Sequence, residues 1–321
     1  MPVIDMPLEK LYEYKGINPK PSDFDEYWER ALSEMEAQDP KVQLIPAHFK
    51  CNYAEAFDLY FTGVGDSRIY AKYLRPKGKT NCPVLFVFHG YTGAFYEYCS
   101  YLSYVAAGFC VAMLDCRGQG GKSEDAVRSK GNTLHGHIRR GLEDENPDKL
   151  YYRNMFLDTA QLVKIVSSFP EVDKTRMGCK GGSQGGGLSY ACASLVPDMK
   201  VVCAHYPFLS DYKRVWDMDL DVSAYCDLRQ FFRHVDPEHK NEDKYFTKLG
   251  YIDIHHLSKR IRAKMYMFTG LMDTVCPPST QFAAYNAIPG EKQVIIYPDF
   301  GHESLPESED MIFEIMCEEL L

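Results

Sequence analysis

Arg176-Met177-Gly178-Cys179-Lys180-Gly181-Gly182-Ser183-Gln184-Gly185-Gly186-Gly187 carries Gly-x-Ser-x-Gly at its centre. The residues before it, 176–180, read as a short buried strand. Those after it, Leu188-Ser189-Tyr190-Ala191-Cys192-Ala193-Ser194-Leu195, read as an apolar helix. A strand, a sharp turn and a helix are what a nucleophile elbow requires. The serine must stand on a strained turn so that its hydroxyl projects from the carboxyl edge of a sheet. Side chains at 181 and 185 would collide with the neighbouring strand and helix, which accounts for the glycines.

An elbow serine needs a base and an acid further along the chain, in that fold's order Ser, acid, His. Lys264-Met265-Tyr266-Met267-Phe268-Thr269 reads as a strand that runs into a loop carrying Asp273. A helix follows from Ser279 to Ala287, then a strand, Lys292 to Tyr297, then a loop carrying His302. Both residues fall after strands, where loops carry chemistry. A serine hydroxyl is a poor nucleophile without a base. Histidine is the side chain whose free pKa, near ~6.5, suits proton transfer at neutral pH, and His302 is the candidate to take that proton and return it to the leaving alcohol. Asp273 fixes the imidazole tautomer and stabilises the imidazolium. Asp299 is the rival acid, but it is too local to His302 to orient the ring. Glu303 reads as a structural or solvated neighbour.

The oxyanion formed during acyl transfer needs backbone donors. One is expected from Gln184, the residue after the nucleophile. The other comes from the loop after an early strand. Pro83-Val84-Leu85-Phe86-Val87-Phe88 is such a strand and ends in His89-Gly90-Tyr91, which makes the Tyr91 N–H the second donor. His89 precedes the serine, the wrong order for the base.

From Pro83 onward the chain alternates strand and helix: strand 83–88, helix near 95–107, strand 109–115, helix 154–169, strand 176–180, helix 185–197, strand 200–205. This predicts an α/β-hydrolase fold, a mostly parallel sheet with helices on both faces. Residues 46–75 alternate apolar and polar, as antiparallel strands do. Residues 1–45 form an amino-terminal extension, with a helix starting in Pro21-Ser22-Asp23-Phe24 and running to about Ala37. It has a capping residue and an acidic first turn. Residues 209 to about 260 break the rhythm with charge and aromatics and read as a helical insertion that walls the acyl pocket and either forms a subunit contact or stands as a solvated helical hairpin. The 321 residues are thus expected to be a single α/β domain.

A net charge of −9 disfavours nucleic acid and anionic membranes as partners. No stretch has the length or apolarity of a signal peptide or a membrane span. The 11 cysteines are odd in number and scattered, with no Cys-x-x-Cys pair and no zinc spacing. A reducing compartment, no metal and no cofactor are the expectation. Asp115-Cys116-Arg117-Gly118-Gln119-Gly120-Gly121-Lys122-Ser123 looks like a phosphate-binding loop, but its first glycine would fall at Cys116 and the pattern fails. A tight turn is expected there, with Arg117 paired to a carboxylate.

Arg117-Gly118-Gln119-Gly120, Gly181-Gly182-Ser183-Gln184-Gly185-Gly186 and Gly301-His302-Glu303 resemble the signature motifs of the cephalosporin C deacetylase/acetyl xylan esterase family, carbohydrate esterase family seven. Phe24-Asp25-Glu26-Tyr27-Trp28, Lys130-Gly131-Asn132-Thr133-Leu134, Tyr151-Tyr152-Arg153-Asn154, Pro207-Phe208-Leu209 and Cys276-Pro277-Pro278-Ser279-Thr280 are also similar, so the resemblance spans the chain. It implies a cytoplasmic esterase that removes acetyl groups from small substrates such as acetylated xylo-oligosaccharides and cephalosporin C. It also implies a homo-hexamer, a trimer of dimers, with sites facing an inner cavity. The family's nucleophile, acid and base fall on Ser183, Asp273 and His302, and its oxyanion donors on Tyr91 and Gln184. One departure is Ala224 before Tyr225, where the family often has proline. A smaller residue there widens the pocket and opens the alternative of a broader carboxylesterase. A serine peptidase and a non-catalytic binding protein are the other readings. Peptidases of this fold usually carry a large amino-terminal gating domain, whereas about 80 residues precede strand 83–88 here. Pseudo-enzymes commonly lose a triad member, and all three are present.

Overall fold

The computed structural model describes residues 4–131 and 136–321. Asn132, Thr133 and Leu134 of the family-like run lie outside them, as do Met1 to Val3. Nine strands form one sheet: β1 (Gln43–Pro46), β2 (Ala54–Gly63), β3 (Ser67–Pro76), β4 (Cys82–Phe88), β5 (Cys110–Leu114), β6 (Val172–Gly182), β7 (Val201–His205), β8 (Lys264–Gly270) and β9 (Lys292–Tyr297). Their order is β1-β2-β3-β5-β4-β6-β7-β8-β9. The first three are antiparallel and β3 joins β5 antiparallel, while every neighbour from β5 to β9 is parallel. The alternating stretch at 46–75 is therefore the β2–β3 hairpin, turned by Gly65 and Asp66 with positive φ.

Strands β4, β5 and β7 are buried at every residue, as central parallel strands are. The period of two divides them between two cores. Val84, Phe86 and Phe88 face the helices Phe24–Ala37, Tyr151–Val166 and Gln184–Leu195. Leu85 and Val87 face Leu102–Ala107 and Ser308–Leu320. The mostly parallel sheet with helices on both faces is as expected.

Three local outcomes differ from the sequence reading. The helix expected near 95–107 is shorter, a 3₁₀ turn at Cys99–Tyr101 followed by Leu102–Ala107. Before that turn the Phe95 N–H donates to the Asp115 carboxylate at 2.9 Å. The helix Phe24–Ala37 has Asp23 at its cap, but no side-chain cap bond forms. That carboxylate accepts the Tyr251 hydroxyl instead. The closing helix Ser308–Leu320 was not anticipated. Ile312, Met316 and Leu320 lie four apart on one buried face. They press so closely that a Cβ on Gly178 would sit 2.8 Å from Leu320.

Between β7 and β8 stand the helices Tyr212–Asp217, Cys226–Val235, Glu242–Leu249 and Ile254–Leu257, the expected helical insertion. Rings of Trp216, Phe232 and Phe246 pack together in it. The amino-terminal segment straps across this region. Asp5 pairs with Arg214 at 2.7 Å, and buried Asp211 accepts Tyr14 Oη and the Ile17 and Asn18 amides.

Asp227, in the helix Cys226–Val235, is wholly buried and accepts the Arg139 N–H at 2.9 Å. Burial pushes its carboxyl up to about 7, against the pull of the backbone amides around it. Its folded pKa thus lies above the unfolded value of about 3.9. The stability it permits is fully present below that unfolded value and is lost as pH rises through about 7. Asp227→Asn keeps an acceptor without the charge. The variant should show a flatter fall in thermal midpoint between about pH 4 and 7 than the parent. Parallel curves for the two proteins would contradict this.

Candidate active site

Ser183 stands between β6 and the helix Gln184–Leu195 with φ 57° and ψ −118°, a conformation costly for a residue with a Cβ. Its backbone is held on both sides: its N–H donates to the His205 carbonyl and its carbonyl accepts from Phe208, both at 3.0 Å. The glycines around it are forced by contact. A Cβ on Gly185 would lie 2.1 Å from the Phe88 carbonyl oxygen, and one on Gly181 would lie 2.4 Å from the Gly185 carbonyl. The expected collisions of strand and helix are these.

Asp273 follows β8 and His302 follows β9, so all three residues leave the same edge of the parallel sheet. The two loops are tied together. The Met272 N–H donates to the Phe300 carbonyl at 2.9 Å, and Gly270 approaches that carbonyl too closely for any side chain. His302 Nδ1 lies 2.8 Å from Asp273 Oδ2, and its Nε2 lies 3.0 Å from Ser183 Oγ. Asp273 is fully buried, and its Oδ1 accepts the N–H groups of Val275 and Cys276 at 2.8 Å each. A carboxylate only accepts, so Nδ1 carries the proton and Nε2 offers its lone pair to the serine hydroxyl. This is the arrangement in which an imidazole can withdraw a hydroxyl proton. The Tyr206 ring lies against His302, centroids 4.4 Å apart. Asp299 and Glu303 are exposed, and Glu303 accepts the Gly301 N–H.

His89 is excluded as a base by its own bonds. Its Nδ1 lies 2.7 Å from the Gly90 carbonyl and its Nε2 accepts the Cys116 N–H at 2.9 Å. Burial lowers its pKa, which favours this neutral, doubly engaged ring. The Gly90 carbonyl also accepts from Gly93 at 3.1 Å. The peptide that ends in the Tyr91 N–H is thereby fixed with its carbonyl turned to His89 and Gly93, and a trans peptide sends its N–H the opposite way. Among the described residues, neither Tyr91 N–H nor Gln184 N–H finds an acceptor. The Tyr91 ring packs on Phe208, and Phe208 on Tyr225 of the insertion, giving an aromatic wall. Ala224 is half-buried against the same core.

Cys276 was not singled out by the sequence reading. It is buried, and with Asp273 and His302 it forms a group whose donor atoms lie within 4.8 Å of one another. Burial pushes its thiol well up, the Asp273 charge adds to this, and a hydrogen bond with Ser183 opposes it. The neutral thiol is a poor competitor to Ser183. A second such group, Asp253, His255 and His256, lies under the amino-terminal strap. There both Asp253 oxygens accept the Asp211 N–H, and Oδ1 also meets His255 Nδ1 at 2.8 Å. All 11 cysteines are free.

The turn at 115–123 is closed by its own groups. Asp115 Oδ2 accepts the Lys122 N–H, and Arg117 is wholly buried in a two-pronged bond to Asp158, 2.6 Å on each arm. The expected pairing of Arg117 with a carboxylate is found. Next to it, Gln119 reaches Gln184 and Thr92, contacts the sequence reading missed.

An acetyl xylan esterase family model matches residues 1–319. The acetyl esterase Axe7A of Xylanibacter ruminicola is 26% identical over 307 residues. That match covers 92% of this chain and 66% of the relative, so the chain spans just under two thirds of its length. Acetyl xylan esterase 1 from a Thermoanaerobacterium species is 53% identical with a TM-score of 0.97, covering 99% of this chain and 100% of that one. An acetyl xylan esterase from a Paenibacillus species is 33% identical with a TM-score of 0.93, covering 98% and 100%. Acylaminoacyl peptidase of Pyrococcus horikoshii, 17% identical with a TM-score of 0.58, covers 84% of this chain and 42% of its own and shares the fold alone. The α/β-hydrolase fold expected from the sequence is borne out.

If the glycine contacts hold the elbow, Gly185→Ala must displace either β4 or the helix. Calorimetry should show a loss of about 3 kcal/mol, since overpacking against backbone has no flexible group to absorb it. A parental thermal midpoint in this variant would contradict the account.

Proposed function

The chain belongs to the acetyl xylan esterase family, and from that premise we propose that it is a carboxylic ester hydrolase that removes acetyl groups from small substrates, acetylated xylo-oligosaccharides foremost. Cephalosporin C is a second candidate substrate of the same chemistry. The observation that carries this reading is the single imidazole bridging Ser183 and buried Asp273 at 3.0 and 2.8 Å.

Ser183 Oγ attacks the acetyl carbonyl as His302 Nε2 takes its proton. The electron pair of the C=O bond moves to oxygen, and the Tyr91 and Gln184 N–H groups receive that oxyanion. Collapse expels the sugar hydroxyl, protonated by His302, and leaves an acetyl ester on Ser183. Water, deprotonated by the same imidazole, then attacks the ester carbonyl, the bond between the acyl carbon and Ser183 Oγ breaks, and His302 returns the proton to Oγ as acetic acid leaves. Asp273 stays ionised throughout and holds the ring against rotation. Two amides converging on one point make the carbonyl oxygen better bound as it becomes charged, which is where rate is gained.

A second reading, a broader carboxylesterase, is favoured by Ala224, a small residue next to Tyr225 in the chain where the resemblance implies proline. We further propose, on the family resemblance, a homo-hexamer acting in the cytoplasm. No described helix is long and apolar enough to cross a membrane.

Initial rates on p-nitrophenyl acetate, butyrate and octanoate, with acetylated xylobiose and cephalosporin C, test the proposal. Acetyl esters should dominate, and amides should not be cleaved. Ser183→Ala should lose on the order of 10⁴-fold or more in kcat. A preference for octanoate selects the carboxylesterase reading. Retained turnover in Ser183→Ala removes the serine mechanism.

A further inference from the structure

The side chain of Gln119 has no part in the chemistry above, yet it touches both halves of the oxyanion site. Its Oε1 accepts the Thr92 N–H at 2.9 Å, one residue beyond Tyr91. That backbone donor fixes which end of the amide is oxygen. The other end, Nε2, then donates to Gln184 Oε1 at 2.7 Å, and Gln184 Nε2 donates back to Gln119 Oε1 at 3.0 Å. The two amides form a closed, two-way pair. Each remaining valence is met in a consistent direction. Tyr152 Oη donates to Gln184 Oε1 at 3.0 Å. Gln119 Nε2 donates to Tyr151 Oη at 3.0 Å, and Tyr151 Oη donates onward to the Arg117 carbonyl at 2.5 Å. Gln184 is fully buried, so none of its bonds can be traded for water without cost.

The turns themselves are pressed together. A Cβ on Gly120 would lie 2.6 Å from the Thr92 carbonyl oxygen. Buried Arg117, locked to Asp158, anchors the Gln119 turn from behind. An anchored turn thus reaches across with one side chain to two elements that are distant in sequence. These are the loop after β4, which bears the Tyr91 amide, and the start of the helix after β6, which bears the Gln184 amide.

We propose that Gln119 is a positioning residue that sets the spacing of the Tyr91 and Gln184 amides, so that both point at one oxyanion. This rests on the reading of those two N–H groups as the oxyanion donors. Such donors act only when preorganised at hydrogen-bond distance from where the charge develops, and small displacements are costly. Loss of the clasp should loosen both donors partially, and so cost less than the ~10²–10³-fold that follows deletion of one donor.

The test compares the parent with Gln119→Met and Gln119→Glu on p-nitrophenyl acetate, with methylboronic acid as a probe that forms a tetrahedral adduct on a serine. Gln119→Met fills the space without hydrogen bonds. Its kcat should fall about 10- to 100-fold, its KM should stay within about twofold, and its boronate affinity should fall in step with kcat. Gln119→Glu keeps the acceptor for Thr92 but faces Gln184 Oε1 with a second oxygen. Protonation of that carboxyl restores the donor, so its activity relative to the parent should climb as pH falls towards 5. A residue that served packing alone would give no such climb. Parental kcat and boronate affinity in Gln119→Met overturn the proposal. If Gln119→Met does not fold, a pH-independent ratio for Gln119→Glu overturns it. The parent arm tests the underlying reading separately: failure of the parent to bind the boronate or to hydrolyse the ester removes the oxyanion assignment itself.

Discussion

The site depends on the contact between the Gly185 backbone and the Phe88 carbonyl at the end of β4. An added Cβ would be 2.1 Å from that oxygen, so no other residue fits without moving strand or helix. This approach brings the helix Gln184–Leu195 down onto the sheet and leaves Ser183 on a turn with φ 57°. The same contact sets Phe88, and therefore His89 to Thr92, beside the serine. Ser183 and the loop after β4 are thus placed by one steric constraint, and the sheet's burial on both faces supplies the energy that sustains the strain.

Around that contact several polar groups have rigid partners. His89 spends both ring nitrogens on backbone, and so orients a peptide instead of moving protons. Asp273 takes two backbone amides on one oxygen, which leaves the other for His302. Arg117 is buried with Asp158 and holds a turn. Charges inside a protein are costly unless paired, and here the pairing fixes geometry. The hydrogen bonds around Gln119 extend the same principle to neutral groups: each has its donor and acceptor directions determined by a single backbone N–H.

The meeting of Ser183, Asp273 and His302 was legible because their signals are local. Ser183 is marked by glycines that only a tight strand-to-helix turn requires, and Asp273 and His302 by the ends of two apolar strands. The insertion was legible from its loss of rhythm. The clasp of Gln119 and Gln184 was not, since it joins side chains 65 residues apart, and the expectation for Gln184 concerned its backbone N–H alone. The run Arg117 to Gly120 gave a signal as a family-like motif, but its sequence predicts a turn and does not name its partners. The helix Ser308–Leu320 escaped for a different reason. Its buried Ile312, Met316 and Leu320 are flanked by partly buried Met311, Phe313, Ile315 and Cys317, so apolar residues run round much of the helix and no single stripe stands out between the acidic ones. The capping role expected near Asp23 failed because Tyr251, more than two hundred residues away, competes for that carboxylate.

The central claim is that Ser183 carries the acyl group during turnover. Acid-quenched mixtures of the enzyme with saturating acetyl ester, digested and analysed by mass spectrometry, test it most directly. The account predicts one added acetyl group on the peptide containing Ser183, absent when the substrate is omitted and absent in Ser183→Ala. Turnover with no acetyl on that peptide, or with the acetyl on the peptide containing Cys276, would contradict it.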